Sequence, residues 1–207
     1  MKKAGIFLDR DGTLIDVVRD EQAGAIGVAF HPNQIRILTG AIEGLKLLRD
    51  AGFVFGIATN QPGPAKGQFS ADAVRRTNEA LVARLAAEGI VIADVRACMH
   101  HPEGGEGGDA SLVGPCDCRK PRPGLVNQLV DALGVAREAS WMIGDSAGDV
   151  EAGRAAGVRT GLVFATNRCE LCPLREGVGG LAPRALPDVH GATLLDIARA
   201  ILAAAPR

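Results

Sequence analysis

The chain contains no tyrosine, a single tryptophan and only 3% aromatic residues in 207. Single-stranded nucleic acid is held largely by stacking bases on aromatic faces, so this composition removes the usual platform for it. Charge of one sign is lacking too: 23 basic and 24 acidic side chains leave a formal net charge of -1. No basic field is available to draw in a polyanion or an anionic lipid surface. Long hydrophobic runs are also missing, and none reaches the roughly 20 residues that a bilayer-crossing helix needs. The opening MKKAGIFLDRDGT is broken by charge before it could serve as a secretory leader, which points to the cytoplasm. The five cysteines are then expected to be reduced, as metal ligands or buried thiols rather than disulfides. Neither nucleic acid nor membrane is an expected partner. The expectation is a monomer acting on a small molecule.

Hydrophobic residues make up 47% of the chain, enough for one α/β domain over 1–207 with a well-buried core. Five short runs are apolar on both faces: Gly5–Leu8, 54–58, 90–95, Trp141–Gly144 and 161–165. That pattern predicts strands of a parallel sheet covered by helices. Helical segments fall between and after them, at 41–50, 70–88 with Ser70 as N-cap, 124–133, 147–156 and 192–204. The alternation predicts a doubly wound, Rossmann-like sheet with right-handed crossovers. Two stretches break the rhythm, a connection at 16–38 and a Gly-rich excursion at 99–115. Long loops in compact domains tend to be functional or disordered. By composition alone, the Gly/Glu patch at 103–108 reads as a flexible tip.

Residues with chemistry gather behind the apolar runs. In FLDRDGTLI, a strand ending at Leu8 delivers Asp9 to the carboxyl edge of the sheet, where open α/β folds bind ligands. Asp9 is a candidate nucleophile. Asp11, two residues on, points the same way and can handle a leaving-group proton, while Gly12 allows the sharp turn. In ATNQPG, Thr59 and Asn60 can hold phosphate oxygens with hydroxyl, amide and backbone N–H groups. In CRKPRPG, Lys120 can neutralise a phosphoryl group, Arg119 can fork onto substrate oxygens, and Pro123 suits a helix start. In IGDSAGDVEAG, Asp145 can bind a hard cation with Asp149 in support, and Mg²⁺ suits oxygen ligands that await a phosphate. A further set, Cys98, His100, Cys116 and Cys118, supplies C-x-H and C-x-C pairs, three thiolates and one imidazole with the spacing of a zinc site. Metal ligation would stabilise a Gly-rich loop over 98–118 that has little apolar material of its own. His101 is a competing ligand, and the C-x-H spacing favours His100.

The four motifs, in this order from Phe7 to about Val163, resemble the signature motifs of the haloacid dehalogenase superfamily. The resemblance implies that Asp9 forms an aspartyl-phosphate and that Asp11 acts as general acid and base. It also implies that Mg²⁺ is held by Asp9, Asp145 and the main-chain carbonyl of Asp11. An acid at position 11 favours phosphatase or phosphomutase chemistry over dehalogenation. With a zinc loop just before CRKP and no large cap, the chain looks like the D-glycero-D-manno-heptose 1,7-bisphosphate 7-phosphatases. The histidinol-phosphate phosphatases are the nearest rivals and polynucleotide 3′-phosphatases a third, which the near-neutral charge disfavours. The heptose reading implies a role in making activated heptose for lipopolysaccharide or other surface glycans. One departure stands out: Val17, Val18, Arg19 and Asp20 occupy the place of substrate-contacting residues, yet the Gly-Tyr-Val element of the heptose enzymes is missing. A non-catalytic zinc module for a protein partner would predict the loss of a catalytic group, and none of Asp9, Asp11, Thr59, Lys120 or Asp145 is lost. Cys169 and Cys172 read as incidental thiols, and His31 and His190 as isolated histidines.

Overall fold

The computed structural model describes residues 2–20, 25–164 and 186–204. In chain order the elements are β1 (Gly5–Leu8), β2 (Val18–Asp20), β3 (Ala25–Gly27), α1 (Ala41–Asp50), β4 (Val54–Asn60), α2 (Ala71–Ala87), β5 (Ile92–Cys98), α3 (Gly124–Leu133), β6 (Trp141–Gly144), α4 (Ala147–Ala155), β7 (Arg159–Val163), β8 (Val189–Gly191) and α5 (Leu194–Ala203). Six strands form one parallel sheet in the order β5-β4-β1-β6-β7-β8. The chain lays β4 and β5 to one side of β1 and then crosses to place β6 on the other. The crevice beyond β1 and β6 is therefore the switch point at which such sheets bind ligands.

Period-2 alternation splits β1 between two cores. Ile6 and Leu8 face a cluster with α1, α2 and α5 through Leu45, Leu48, Leu81, Leu85 and Ile197, while Phe7 faces α3 and α4 through Leu125, Leu129 and Ala152. Each fully buried aliphatic side chain contributes about 1.5–3 kcal/mol, so the central strand is held from both faces. Helix ends follow their caps: Ser70 accepts from Ala73 N at 3.1 Å, and Thr193 and Asp196 form a capping box on α5. No helix among the described residues is long and apolar enough to cross a membrane.

Three differences from the sequence expectation have physical causes. β5 runs over Ile92–Cys98, not 90–95, because its register with β4 pairs Ala58, Thr59 and Asn60 with Arg96, Ala97 and Cys98. Backbone pairing continues past the point where the apolar pattern stops. The stretch after β1 is no plain connection, since β2 and β3 pair antiparallel there, with Val18 opposite Gly27. The patch at 103–108 is no free tip either. Asp109 N donates to Pro64 O at 3.0 Å, and a Cβ on Gly105 or Gly108 would overlap the backbone of Lys66 or Ala65. Those glycines let two loops pack backbone against backbone.

Candidate active site

Asp9, Asp11, Thr59, Asn60, Lys120, Asp145 and Asp149 line one recess of about 270 Å³ at the carboxyl edge of the sheet, with Val17 and residues 26–28 of the hairpin along one side. Asp9 N donates to Ile143 O at 2.8 Å, which ties the end of β1 to β6. Gly12 takes the turn with φ 87°, and any Cβ there would overlap the Asp145 carboxylate. A larger groove of about 740 Å³ lies between α2 and β5, lined by Val82, Val95, Ala97 and Met99 among others. It holds none of the motif residues, so size does not mark the chemistry here.

Lys120 is the hub of the recess. Its Nζ lies 2.8 Å from Asp9 Oδ1 and 2.5 Å from Asp149 Oδ1, and it donates to Ala58 O at 2.7 Å. Ala58 O accepts a hydrogen bond, while the two carboxylates meet the ammonium as ion pairs. Asp149 is 1% exposed and also caps α4, where it accepts from the Ser146 backbone N–H and hydroxyl. Asp9, Asp145 and Asp149 bring carboxylate oxygens within 4.8 Å of one another. Burial pushes Asp9 up to about 6, with Lys120 pulling against it and Asp149 and Asp11 adding to it. Burial and then repulsion from Asp9 and Asp149 hold Asp145 well above the usual carboxylate range. Burial alone would lower Lys120, but Asp149 and Asp9 outweigh it and leave the ammonium favoured. One ammonium thus faces three carboxylates, and a hard divalent cation fits the shortfall of positive charge.

The other sequence candidates divide. Asp11 accepts from Ala29 N at 2.9 Å on Oδ1, and from Gln61 Nε2 at 2.8 Å and Arg10 Nε at 2.9 Å on Oδ2. Thr59 is 1% exposed, and its hydroxyl oxygen accepts from Gln61 Nε2 at 2.9 Å. Asn60 donates to Lys120 O at 3.0 Å and accepts from Lys120 N at 3.1 Å, so both ends of its amide are engaged in fixing the Lys120 backbone. Arg119 does not line the recess. It borders a neighbouring depression of about 330 Å³ with Cys116, Pro121 and Arg122, and the two spaces meet at Lys120. Of the segment 17–20, Val17 reaches the recess, Val18 packs against the core, and Arg19 pairs with Asp16 at 3.0 Å. Only the backbone of Asp20 is described, and Cys169 and Cys172 lie outside the described residues. His31 caps a short turn by accepting from Asn33 N at 3.2 Å, and His190 is exposed on β8.

Two residues escaped the sequence reading. Arg10 is fully buried, with Nη1 donating to Asn78 Oδ1 at 2.6 Å and Nη2 to Ala29 O at 2.5 Å, besides its contact with Asp11. Gln61 is equally buried, and its N–H donates to Cys98 O at 2.7 Å. A fully charged residue between two aspartates, and a third polar residue in ATNQ, were the available signals.

Cys98, His100, Cys116 and Cys118 converge, with one ligand atom from each lying within 4.8 Å of the others. Sulfurs around a tetrahedral zinc sit about 3.8 Å apart, given metal–sulfur bonds of about 2.3 Å. Cys98 Sγ is 3.7 Å from Cys116 Sγ and 3.8 Å from His100 Nδ1, and Cys118 Sγ is 3.4 Å from the same nitrogen. Cys98 and Cys118 are closer, at 2.8 Å. Burial raises the pKa of both thiols, so a metal that binds them displaces protons. His101 stays out of the cluster because its Nδ1 accepts from Gly104 N at 3.0 Å and Glu103 N at 3.3 Å.

Fold and recess together define a hydrolase of the haloacid dehalogenase type. The HAD-hydrolase-like family model matches residues 117–170. The crystal structure of D,D-heptose 1,7-bisphosphate phosphatase from B. bronchiseptica, complexed with magnesium and phosphate, aligns over 98% of this chain and 99% of that one, with a TM-score of 0.73 and 27% identity. The D-glycero-beta-D-manno-heptose-1,7-bisphosphate 7-phosphatase of Pasteurella multocida is 36% identical over 169 residues, 81% of this chain and 84% of that protein. Its namesake from Rhodopseudomonas palustris is 38% identical over 157 residues, 76% of this chain and 81% of that protein. The chain belongs to this family of phosphatases.

Proposed function

We propose that the protein removes the 7-phosphate of D-glycero-D-manno-heptose 1,7-bisphosphate, with Asp9 as nucleophile. The observation that carries this reading is Lys120, held between Asp9 and Asp149 in a recess that also contains Asp145. Asp9 attacks phosphorus and forms the aspartyl-phosphate, and Asp11 gives its proton to the departing alkoxide. Asp11 then takes a proton from the water that releases phosphate. Thr59 and Lys120 hold the phosphoryl oxygens, and Asn60 keeps Lys120 in register. Asp9, Asp145 and the Asp11 carbonyl are the residues that would hold Mg²⁺, which when bound screens the repulsion between carboxylate and phosphate. Asp149 supports the site through Lys120 and Ser146. The proposed product feeds the synthesis of activated heptose for surface glycans. Phosphate release from a panel holding both heptose bisphosphate anomers, histidinol phosphate and a 3′-phosphorylated oligonucleotide tests the assignment. The highest kcat/KM is expected on a heptose bisphosphate, and a preference for either other ester would replace it.

The thiol cluster is proposed to bind zinc. Purified protein should carry about one zinc per chain, and Cys116→Ser should lower that content and lower protection of 99–115 from amide exchange. Zinc-free native protein by metal analysis would end this proposal. Arg119, at the mouth of the adjoining depression, is proposed to grip the non-reacting part of the sugar phosphate. Arg119→Ala should cost about 2 kcal/mol, roughly thirtyfold in kcat/KM, on the best sugar substrate and little on a minimal aryl phosphate. Equal losses on both would tie Arg119 to the reacting phosphate or to the fold.

A further inference from the structure

Gln61 is wholly buried, and one end of its amide has no partner among the described residues. Nε2 donates to Asp11 Oδ2 at 2.8 Å and to Thr59 Oγ1 at 2.9 Å, while Oε1 accepts from no described residue. A buried acceptor left without a donor calls for an explanation, since an apolar side chain of the same length would fill the space without that cost. The explanation lies in what the other end does.

Asp11 Oδ2 receives two N–H donors, Gln61 Nε2 and, at 2.9 Å, Arg10 Nε. A carboxylate oxygen has two lone pairs, so Oδ2 is filled by groups that can only donate to it. No site is left there for a proton. Oδ1 receives one donor, Ala29 N at 2.9 Å, and keeps a lone pair. The same Gln61 amide fixes the Thr59 hydroxyl as an acceptor, which leaves the hydroxyl proton to be donated elsewhere. Arg10 is locked in turn by Asn78 on α2 and by Ala29 O.

We infer that Gln61 is a positioning residue that, with Arg10, assigns the travelling proton to Asp11 Oδ1 and turns the Thr59 hydroxyl proton towards the phosphoryl group. The inference rests on the proposed roles of Asp9 and Asp11. In the first step the Asp9–phosphorus bond forms, the ester P–O bond breaks, and the alkoxide leaves with the proton from Oδ1. In the second, water attacks phosphorus, its proton returns to Oδ1, and the bond to Asp9 breaks. Gln61 touches neither ester nor water. It acts by keeping the proton off the wrong oxygen.

The test uses two esters that differ in their need for that proton. An alkyl phosphate must receive it as the alcohol leaves, whereas 4-nitrophenyl phosphate expels a phenolate that is stable without one. For the aryl ester, kcat/KM covers only the steps through phosphorylation of Asp9, before water is activated. General acid catalysis is worth roughly 10²–10⁴-fold. Gln61→Met keeps length and volume but donates nothing. It should lower kcat/KM on the alkyl ester about thirtyfold, and on the aryl ester by no more than about threefold. Equal losses in a folded variant would overturn the inference, because Gln61 would then serve phosphate binding alone, and so would no loss at all. If Gln61→Met fails to fold, Gln61→Leu replaces it. Failure of both would make Gln61 a fold residue and end the inference. Asp11→Asn, run alongside, should show the same selective loss. If Asp11→Asn loses both esters equally while Gln61→Met is selective, the acid role of Asp11 is what fails. The assignment of Oδ1 falls with it.

Discussion

Asp9→Asn should abolish turnover, with a loss of at least about 10⁴-fold in kcat, or about 5.5 kcal/mol in the barrier, while the fold is kept. The amide is nearly isosteric with the carboxylate but does not attack phosphorus. The same substitution should stabilise the metal-free protein at pH 7. Asp9 is raised from 3.8 to about 6 by burial and by neighbouring carboxylates, so its ionised form is disfavoured in the folded chain. For a carboxylate raised in this direction, the penalty is absent below the unfolded pKa and is complete above the folded one. Wild-type stability should therefore fall relative to Asp9→Asn as pH rises from about 4 to about 6, by an amount on the order of 2–3 kcal/mol. Denaturant midpoints of both proteins in chelator across that range check the sign. Phosphatase activity retained in Asp9→Asn would remove the covalent route.

Lys120→Met should be the most damaging substitution in the recess for stability and activity together. It leaves Asp149, which is 1% exposed, and Asp9 without their shared cation. Removing one partner of a buried ion pair typically costs about 3–5 kcal/mol, and losing a cation aimed at a phosphoryl group about 10²–10³-fold in kcat. Arginine should not rescue it. Three oxygens converge on a single nitrogen, from Asp9, Asp149 and Ala58, and a planar guanidinium cannot present three donors from one point. Thermal unfolding with and without Mg²⁺ separates the two effects. A Lys120→Met protein that melts with wild type would show that Asp149 finds another partner.

The sheet was legible because its strands are apolar on both faces, and β1 and β6 fall where the pattern places them. Asp9, Asp11, Thr59, Asn60 and Asp145 were legible because they end or follow such strands, and parallel strands carry their carboxyl ends to one edge, whereas Lys120 was legible only from the basic turn that opens α3. What escaped has no periodicity to betray it. β2, β3 and β8 are three residues each, too short for an alternating pattern to register. Asn60 reads as a ligand-holding amide until its two bonds to the Lys120 backbone are seen, since spacing in the chain says nothing of which backbone lies 60 residues away. Arg10 and Gln61 escaped for the same reason. Their partners come from α2, the hairpin base and β4, and a burial that complete is a property of the packed fold.

The close packing of 104–108 on the loop after β4 bears on how this chain can change over time. Gln61 N is bonded to Cys98 O, and Asp109 N to Pro64 O, so the thiol-bearing loop and the ATNQ loop share a wall with no slack in it. Lengthening either loop, or giving a side chain to Gly105 or Gly108, pushes on the other, and through Gln61 on Asp11. Two segments far apart in sequence must therefore vary in step. New substrates are more readily reached by altering strands β2 and β3, which this wall does not touch, than the rim at Arg119 and Arg122, whose side chains donate to His100 O and Cys116 O of the thiol-bearing loop.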